Sequence, residues 1–277
     1  MPEGPEIKRL ATRLDKVLTY QPLEELRFSY RDLDRFNDQL RVQNITKIDS
    51  KGKALLIFFE SGLTLYSHNQ LYGKWLIVRK GKTPKTNRTQ RLVISTLRHS
   101  AFLYSASSIE LLQPEELENH PYLIKLGPDA LAEETSWEQV YQQLISSRFE
   151  GRSLGSLLLD QHFVAGIGNY LRSEILHVSR LSPFDRPKDL PANKKRTLSK
   201  DILRVTGQAF LTAGVTNDLS RVSILKEQGL SRSKYRFAIF ARAGLPCYEC
   251  GKKIVRSETN GRRFYSCPAC QPSVRMV

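Results

Sequence analysis

Apolar side chains at Ile7, Leu10, Leu14, Val17 and Leu18 return near the helical repeat, so residues 5–18 are predicted to form an amphipathic helix. From about residue 20 to 105 the pattern changes to short apolar or alternating runs at 54–59, 63–66, 75–78, 91–97 and 101–104. These read as strands, and the turn signals between them, such as Ser61-Gly62 and Gly81, suggest a sandwich or barrel built behind the first helix.

Residues 113–136 hold Pro114, Pro121, Gly127, Pro128 and several acidic residues, the composition of a connection between domains. Beyond them the helical period returns in three stripes. Trp137, Val140, Tyr141, Leu144 and Ile145 form the first, Leu154, Leu157 and Leu158 the second, and Tyr170, Leu171, Ile175 and Leu176 the third. A Pro- and Lys-rich loop over 181–196 then leads to a helix around 198–213. The segment 217–240 is basic, Ser-containing and weakly periodic, and reads either as a mobile loop or as a plain exposed connection.

Charge narrows the class of partner. The 277 residues carry 43 Lys+Arg against 28 Asp+Glu, a formal net charge of +15. Residues 217–277 hold 12 of the cations and 4 of the acids, so +8 of the excess lies in the last fifth of the chain. A polyanion is the expected partner, with nucleic acid ahead of a membrane surface. No apolar run approaches the roughly 20 residues of a membrane span, and the expected location is the cytoplasm.

The strongest local motif is the cysteine pattern. Cys247 and Cys250 form one close pair, Cys267 and Cys270 another, with 16 residues between the pairs. Four thiolates in two such pairs suit one structural Zn2+, with no ligand position left for water. The intervening residues read as a hairpin turning at Asn260-Gly261, with Arg262 and Arg263 just after the turn and able to fork onto a phosphate. Gly166-Ile167-Gly168-Asn169 lacks the third glycine and the preceding strand of a dinucleotide site. It reads better as a tight interhelical turn whose backbone N–H groups and Asn169 amide meet a phosphate, or as an ordinary glycine-containing helix connection.

At the N-terminus, removal of Met1 would leave Pro2 with a secondary amine able to attack an aldehyde-like carbon and form a cationic iminium. Glu3 beside it could move protons, although Pro2 equally suits the opening of a helix. Lys53, at the start of an apolar strand, could steady a phosphate or assist proton transfer, or simply be solvated. Gln70, Leu71 and Tyr72 either pack at a strand junction or form an exposed wedge able to fill a gap in a base stack.

In combination and order, Pro2-Glu3-Gly4-Pro5-Glu6, Lys53 in Gly52-Lys53-Ala54-Leu55, the 166–170 turn and the four-cysteine finger resemble the formamidopyrimidine-DNA glycosylase and endonuclease VIII family over nearly the whole chain. Gly4 and the segments 66–73 and 168–176 look like the endonuclease VIII branch, which acts on oxidised pyrimidines. The resemblance implies an α+β multidomain fold: an N-terminal helix plus β-sandwich (1–125), a linker (126–136), a helix-two-turn-helix domain (137–238) and a zinc-finger hairpin (239–273). It implies duplex DNA with oxidised bases or abasic sites as the partner, held in the cleft between the domains, and a monomer is the default expectation for an enzyme that must close around a duplex.

It also implies roles. Pro2 would be the Schiff-base nucleophile, Glu3 the acid/base group, Lys53 a support for β-elimination and Arg262 a phosphate ligand supporting δ-elimination. Gln70, Leu71 and Tyr72 would fill the void left by the extruded nucleotide, and Lys125 and Asn169 would contact DNA. Lys125 stands where the family has arginine, keeping the charge and losing the planar fork, and Arg263 stands where a proline is expected. The implied activity is a DNA glycosylase with β,δ-elimination AP lyase chemistry. The alternatives are the same chemistry on oxidised purines, or a non-catalytic protein that binds damaged DNA.

Overall fold

The first helix forms where the apolar spacing puts it. In the computed structural model, which describes residues 2–259 and 261–273, α1 spans Gly4–Leu18. Its inner stripe is Ile7, Ala11, Leu14 and Leu18, each at most 2% exposed, with Leu10 and Val17 half-buried on its flanks. Glu6 in the first turn and Lys16 in the last complement the helix dipole. Met1 and Asn260, the latter expected at the hairpin turn, lie outside the described residues.

The strands that follow are β1 (Leu23–Phe28), β2 (Ile45–Lys51), β3 (Ala54–Phe59), β4 (Thr64–His68), β5 (Lys74–Arg79), β6 (Gln90–Thr96), β7 (His99–Tyr104) and β8 (Ser108–Leu112). A short helix, α2 (Asn37–Arg41), precedes β2, and another, α3 (Pro114–Glu118), follows β8 inside the stretch expected to be a connection. The strands make two antiparallel sheets, ordered β1-β6-β7-β5 and β2-β3-β4-β8. Leu14 and Leu18 of α1, Leu26, Ile57, Leu65, Leu92 and Leu103 share one core, which makes this region a helix-backed sandwich. Strand β3 is buried at five of its six residues, as a central strand covered on both faces should be.

Contacts divide the chain into two units. Pro2 and Glu6–Lys125 belong to one, and Glu3–Pro5 with the residues from Leu126 onward belong to the other. In the second, α4 (Trp137–Ile145) begins at a capping box, with Ser136 accepting from the Gln139 N–H and the Gln139 side chain accepting from the Ser136 N–H. Helices α5 (Leu154–Leu157) and α6 (Asn169–Val178) flank the glycine turn. Helix α7 spans Ala192–Leu211 and packs against α4 and α6. It starts inside the stretch read as a loop, because Pro191 sits at the N-cap and the Lys-rich residues after it favour helix.

The 217–240 segment also departs from expectation. It is neither an open loop nor a plain connection: α8 (Leu219–Glu227) is capped by the Asp218 carboxylate, α9 (Arg232–Tyr235) follows, and Val222, Ala238 and Ile239 are buried. A hairpin of β9 (Val255–Thr259) and β10 (Arg262–Ser266) closes the described fold. No helix among the described residues is long and apolar enough to cross a membrane.

Helix α6 is buried from Tyr170 to His177, including its charged residues. Glu174, fully buried, accepts from the backbone N–H groups of Ala238, Ile239 and Phe240 at 2.7–2.9 Å and from the Thr216 hydroxyl at 2.7 Å. One carboxylate thereby ties α6 to the segment entering the cysteine hairpin. Glu174→Gln would set an NH2 group against these donors, and urea unfolding should show a loss of about 2–3 kcal/mol, the cost of leaving buried donors unsatisfied.

Candidate active site

The glycine turn before α6 does gather N–H groups into an anion niche, but the anion is Glu3 rather than a phosphate. Its carboxylate, 3% exposed, accepts from Gly168 N–H and Tyr170 N–H at 2.8 Å and from Leu171 N–H at 3.3 Å. Orphan donors at a helix start favour an anion in this way. The approach needs glycine. A Cβ on Gly168 would fall 2.3 Å from the Glu3 carboxyl carbon, and one on Gly4 would fall 2.9 Å from the Gly166 Cα. Gly4 N–H donates to the Gly166 carbonyl at 2.8 Å, which sets the chain direction on either side of Glu3. Gly166 itself holds φ +93°, in the left-handed region that favours glycine.

Asn169, the first residue of α6, uses its side-chain oxygen to accept from Arg172 Nη2 at 2.7 Å. Arg172 also donates to the carbonyls of Gly155 at 2.9 Å and Arg263 at 3.0 Å, and its guanidinium lies 5.2 Å from the centre of the Phe264 ring. It is fully buried, and burial together with the charge of Arg262 pulls it down to about 10, against the opposing pull of Glu3. The structure thus brings Glu3, Asn169 and the Arg262–Arg263 strand around one buried guanidinium. Arg172 was not singled out by sequence. The available signal was a lone cation interrupting the apolar stripe Tyr170, Leu171, Ile175, Leu176. Arg262 and Arg263 themselves are exposed on β10.

In the first unit, Pro2 is half-buried and lines a cavity of about 340 Å³ with Glu6, Arg13, Leu71, Tyr72 and Arg88. Leu71 and Tyr72 are 67% and 69% exposed. The exposed loop reading, not packing at a strand junction, describes them. Lys53 is 6% exposed, and its N–H donates to the Tyr122 hydroxyl at 3.4 Å. His68 stands nearby with its ring edge-on to Tyr122 at 5.3 Å. Burial, and then the positive charge of Lys53, hold its imidazole down to about 4, so His68 is neutral at physiological pH. Its Nδ1 accepts from Gln70 N–H at 3.1 Å, and a cavity of about 390 Å³ opens between His68, Gln70, Glu110 and His120. Lys125 is exposed and makes no hydrogen bond or ion pair among the described residues.

The sulfurs of Cys247, Cys250, Cys267 and Cys270 all lie within 4.8 Å of one another, so the four can hold a metal ion. Gly251 at φ +74° turns the chain between the first pair and β9, its N–H donating to the Cys247 carbonyl at 2.9 Å. The surrounding core is small, consisting of Ile239, Ile254 and Tyr265 beside the cysteines, with Phe240 against them.

Comparison with known proteins agrees with this architecture. Residues 1–105 match the formamidopyrimidine-DNA glycosylase N-terminal domain, and residues 126–220 match the formamidopyrimidine-DNA glycosylase H2TH domain. The chain is 41% identical over 271 residues to Endonuclease 8 of Escherichia coli O17:K52:H18 (strain UMN026 / ExPEC), covering 98% of this chain and 100% of that protein. It is 42% identical, over the same shares, to Endonuclease 8 of Salmonella arizonae. The crystal structure of Lactococcus lactis Fpg (MutM) with N7-benzyl-Fapy-dG-containing DNA matches with a TM-score of 0.80 at 21% identity, over 98% of this chain and 100% of that one. That likeness concerns the fold. The two family domains in order and the full-length identity agree: the chain belongs to the formamidopyrimidine-DNA glycosylase family.

Proposed function

We propose that this chain is a base-excision-repair DNA glycosylase with AP lyase activity by β,δ-elimination, directed at oxidised pyrimidines in duplex DNA. The observation that carries the reading is Glu3, a buried carboxylate fixed by three backbone amides and joined by one peptide bond to Pro2, a residue whose amine is secondary. Removal of Met1 exposes that amine. Its lone pair attacks C1′ of the damaged nucleotide as the glycosidic bond breaks, the base leaves with the bonding pair and takes a proton from water, and the Glu3 carboxylate accepts the proton of the amine. Glu3 then delivers that proton to the ring oxygen as the sugar opens to the iminium. The resulting iminium acidifies the C2′ hydrogen. Loss of that proton expels the 3′ phosphate, a second elimination expels the 5′ phosphate, and water then releases the sugar fragment and restores the amine.

The other residues support these steps. Lys53 aids β-elimination, Arg262 binds phosphate through δ-elimination, and Lys125 and Asn169 contact the DNA backbone. Gln70, Leu71 and Tyr72 occupy the space vacated by the extruded nucleotide. Residues 137–238 form the helix-two-turn-helix domain and 239–273 the finger. The metal is one structural Zn2+. Tetrahedral zinc at about 2.3 Å from each sulfur sets sulfurs roughly 3.8 Å apart, and the Cys247–Cys270 and Cys250–Cys267 separations are 3.9 and 3.3 Å. Its role is to hold the hairpin that bears Arg262.

Borohydride reduction of the Met1-processed protein on a duplex with one dihydrouracil should give a covalent adduct, in preference to matched 8-oxoguanine and undamaged duplexes. A preference for 8-oxoguanine would reassign the lesion class, and tight binding with no adduct would leave a non-catalytic damage-binding protein. Arg262→Ala should weaken duplex binding and flatten the plot of log affinity against log salt by about 0.9, the signature of one lost phosphate contact. Stripping the metal with a chelator should release one zinc per chain, measurable with a colorimetric zinc dye, and abolish duplex binding, with recovery when zinc is restored.

A further inference from the structure

A cavity of about 340 Å³ opens beside the exposed loop of Gln70, Leu71 and Tyr72, lined by Leu71 and Tyr72 together with Glu6, Leu10 and Arg13 of α1. With each about two-thirds exposed, Leu71 and Tyr72 bury little apolar surface that could set their position. The backbone is instead closed into one tight turn, with Gly73 N–H donating to the Asn69 carbonyl at 2.7 Å. Only glycine fits there, since a Cβ on Gly73 would lie 2.6 Å from the Asn69 Cα. Gln70 holds φ +46°, a left-handed conformation that a residue with a Cβ adopts only under constraint.

Two polar tethers reach the turn from elsewhere in the sheets. Arg88, in the loop between β5 and β6, donates from Nη1 to the Tyr72 carbonyl at 2.5 Å. Ser107, just before β8, donates its hydroxyl to the Gln70 side-chain oxygen at 2.7 Å, while its own carbonyl accepts from the Tyr30 hydroxyl at 2.7 Å. Arg88 is exposed and forms no ion pair among the described residues, so its one strong contact is with the wedge.

We propose that Arg88 and Ser107 are positioning residues that hold the 70–72 wedge in its inserting conformation before DNA arrives. The proposal rests on the glycosylase reading above and on the wedge as the void-filling element. A preformed wedge contributes only where a stacked duplex must be opened, because ordering it in advance removes that entropic cost from the extrusion step. A single strand carrying an abasic site has no stack to open. The tethers thus separate duplex from single-strand reactivity.

Arg88→Ala should slow borohydride trapping on a duplex abasic site about tenfold and leave trapping on the same site in a single strand within twofold. Its salt slope for duplex binding should match that of the unaltered protein. Ser107→Ala should act in the same direction with a smaller effect. A duplex bearing a tetrahydrofuran abasic analogue beside 2-aminopurine reports wedge insertion with no chemistry, and Arg88→Ala should lose most of the fluorescence rise seen with the unaltered protein. An unchanged rise, equal losses on both trapping substrates, or a salt slope flattened by about 0.9 as for a phosphate contact, would each overturn the positioning role. Because the fluorescence measurement forms no adduct, failure of the Schiff-base chemistry would appear in trapping alone and be told apart from failure of this proposal.

Discussion

A carboxylate set against the start of a helix is the constraint on which the site is built. Three N–H groups of the first turn of α6 converge on Glu3, and the contact exists because Gly4 lets its backbone close on that of Gly166, and Gly168 leaves room for the Glu3 carboxyl group. These two glycines give up chain rigidity and in return remove a steric obstacle at a named atom, while Gly166 supplies a left-handed φ. The geometry fixes the second of two adjacent residues so firmly that the first, Pro2, inherits a defined starting point. Holding the Glu3 carboxylate on backbone amides rather than side chains also leaves few rotamers through which it can wander.

Helix α6 carries the rest of the burden by gathering three buried charges, two of its own and Glu3 at its start. Glu3 sits at its start, Arg172 reaches from its first turn toward the β10 strand, and Glu174 reaches from the next turn to the amides of 238–240. Hydrogen-bonding partners match both carboxylates and the two terminal nitrogens of Arg172, whose Nε is buried without one, and such partners are the condition under which a buried ion is tolerated. The cost is visible in Arg172, whose guanidinium is drawn down toward 10 by burial and by Arg262. Phe264, fully buried in the helical core, and Tyr265, packed against Phe240, join these polar links and the cysteine cluster in placing the hairpin.

Most of the strands that sequence made legible are central ones. The runs at 54–59, 63–66, 91–97 and 101–104 all became central strands because their burial forces a near-continuous apolar pattern, and 75–78, at a sheet edge, was legible because its four apolar residues are consecutive. The strands it did not separate, β1, β2 and β8, are all at sheet edges, where half the residues face water and charges such as Glu24, Lys47 and Glu110 dilute the signal. Helices α8 and α9 escaped for a related reason: they bury little besides Val222, so no stripe announces them. The cysteine cluster was readable directly, because a metal site depends on residue type and spacing. The partner of the 166–168 turn was not, since the occupant of an anion niche lies more than 160 residues away in sequence.

The bond from Arg172 to the carbonyl of residue 263 bears on how this hairpin can vary. A carbonyl oxygen is present whatever residue stands there, so the grip on the β10 strand is indifferent to the side chain at that position. The arginine at position 263 therefore leaves the grip intact while adding a second exposed cation next to Arg262. The hairpin's attachment and its outward chemistry are thus written in different atoms of the same residue, and one can drift while the other is held constant.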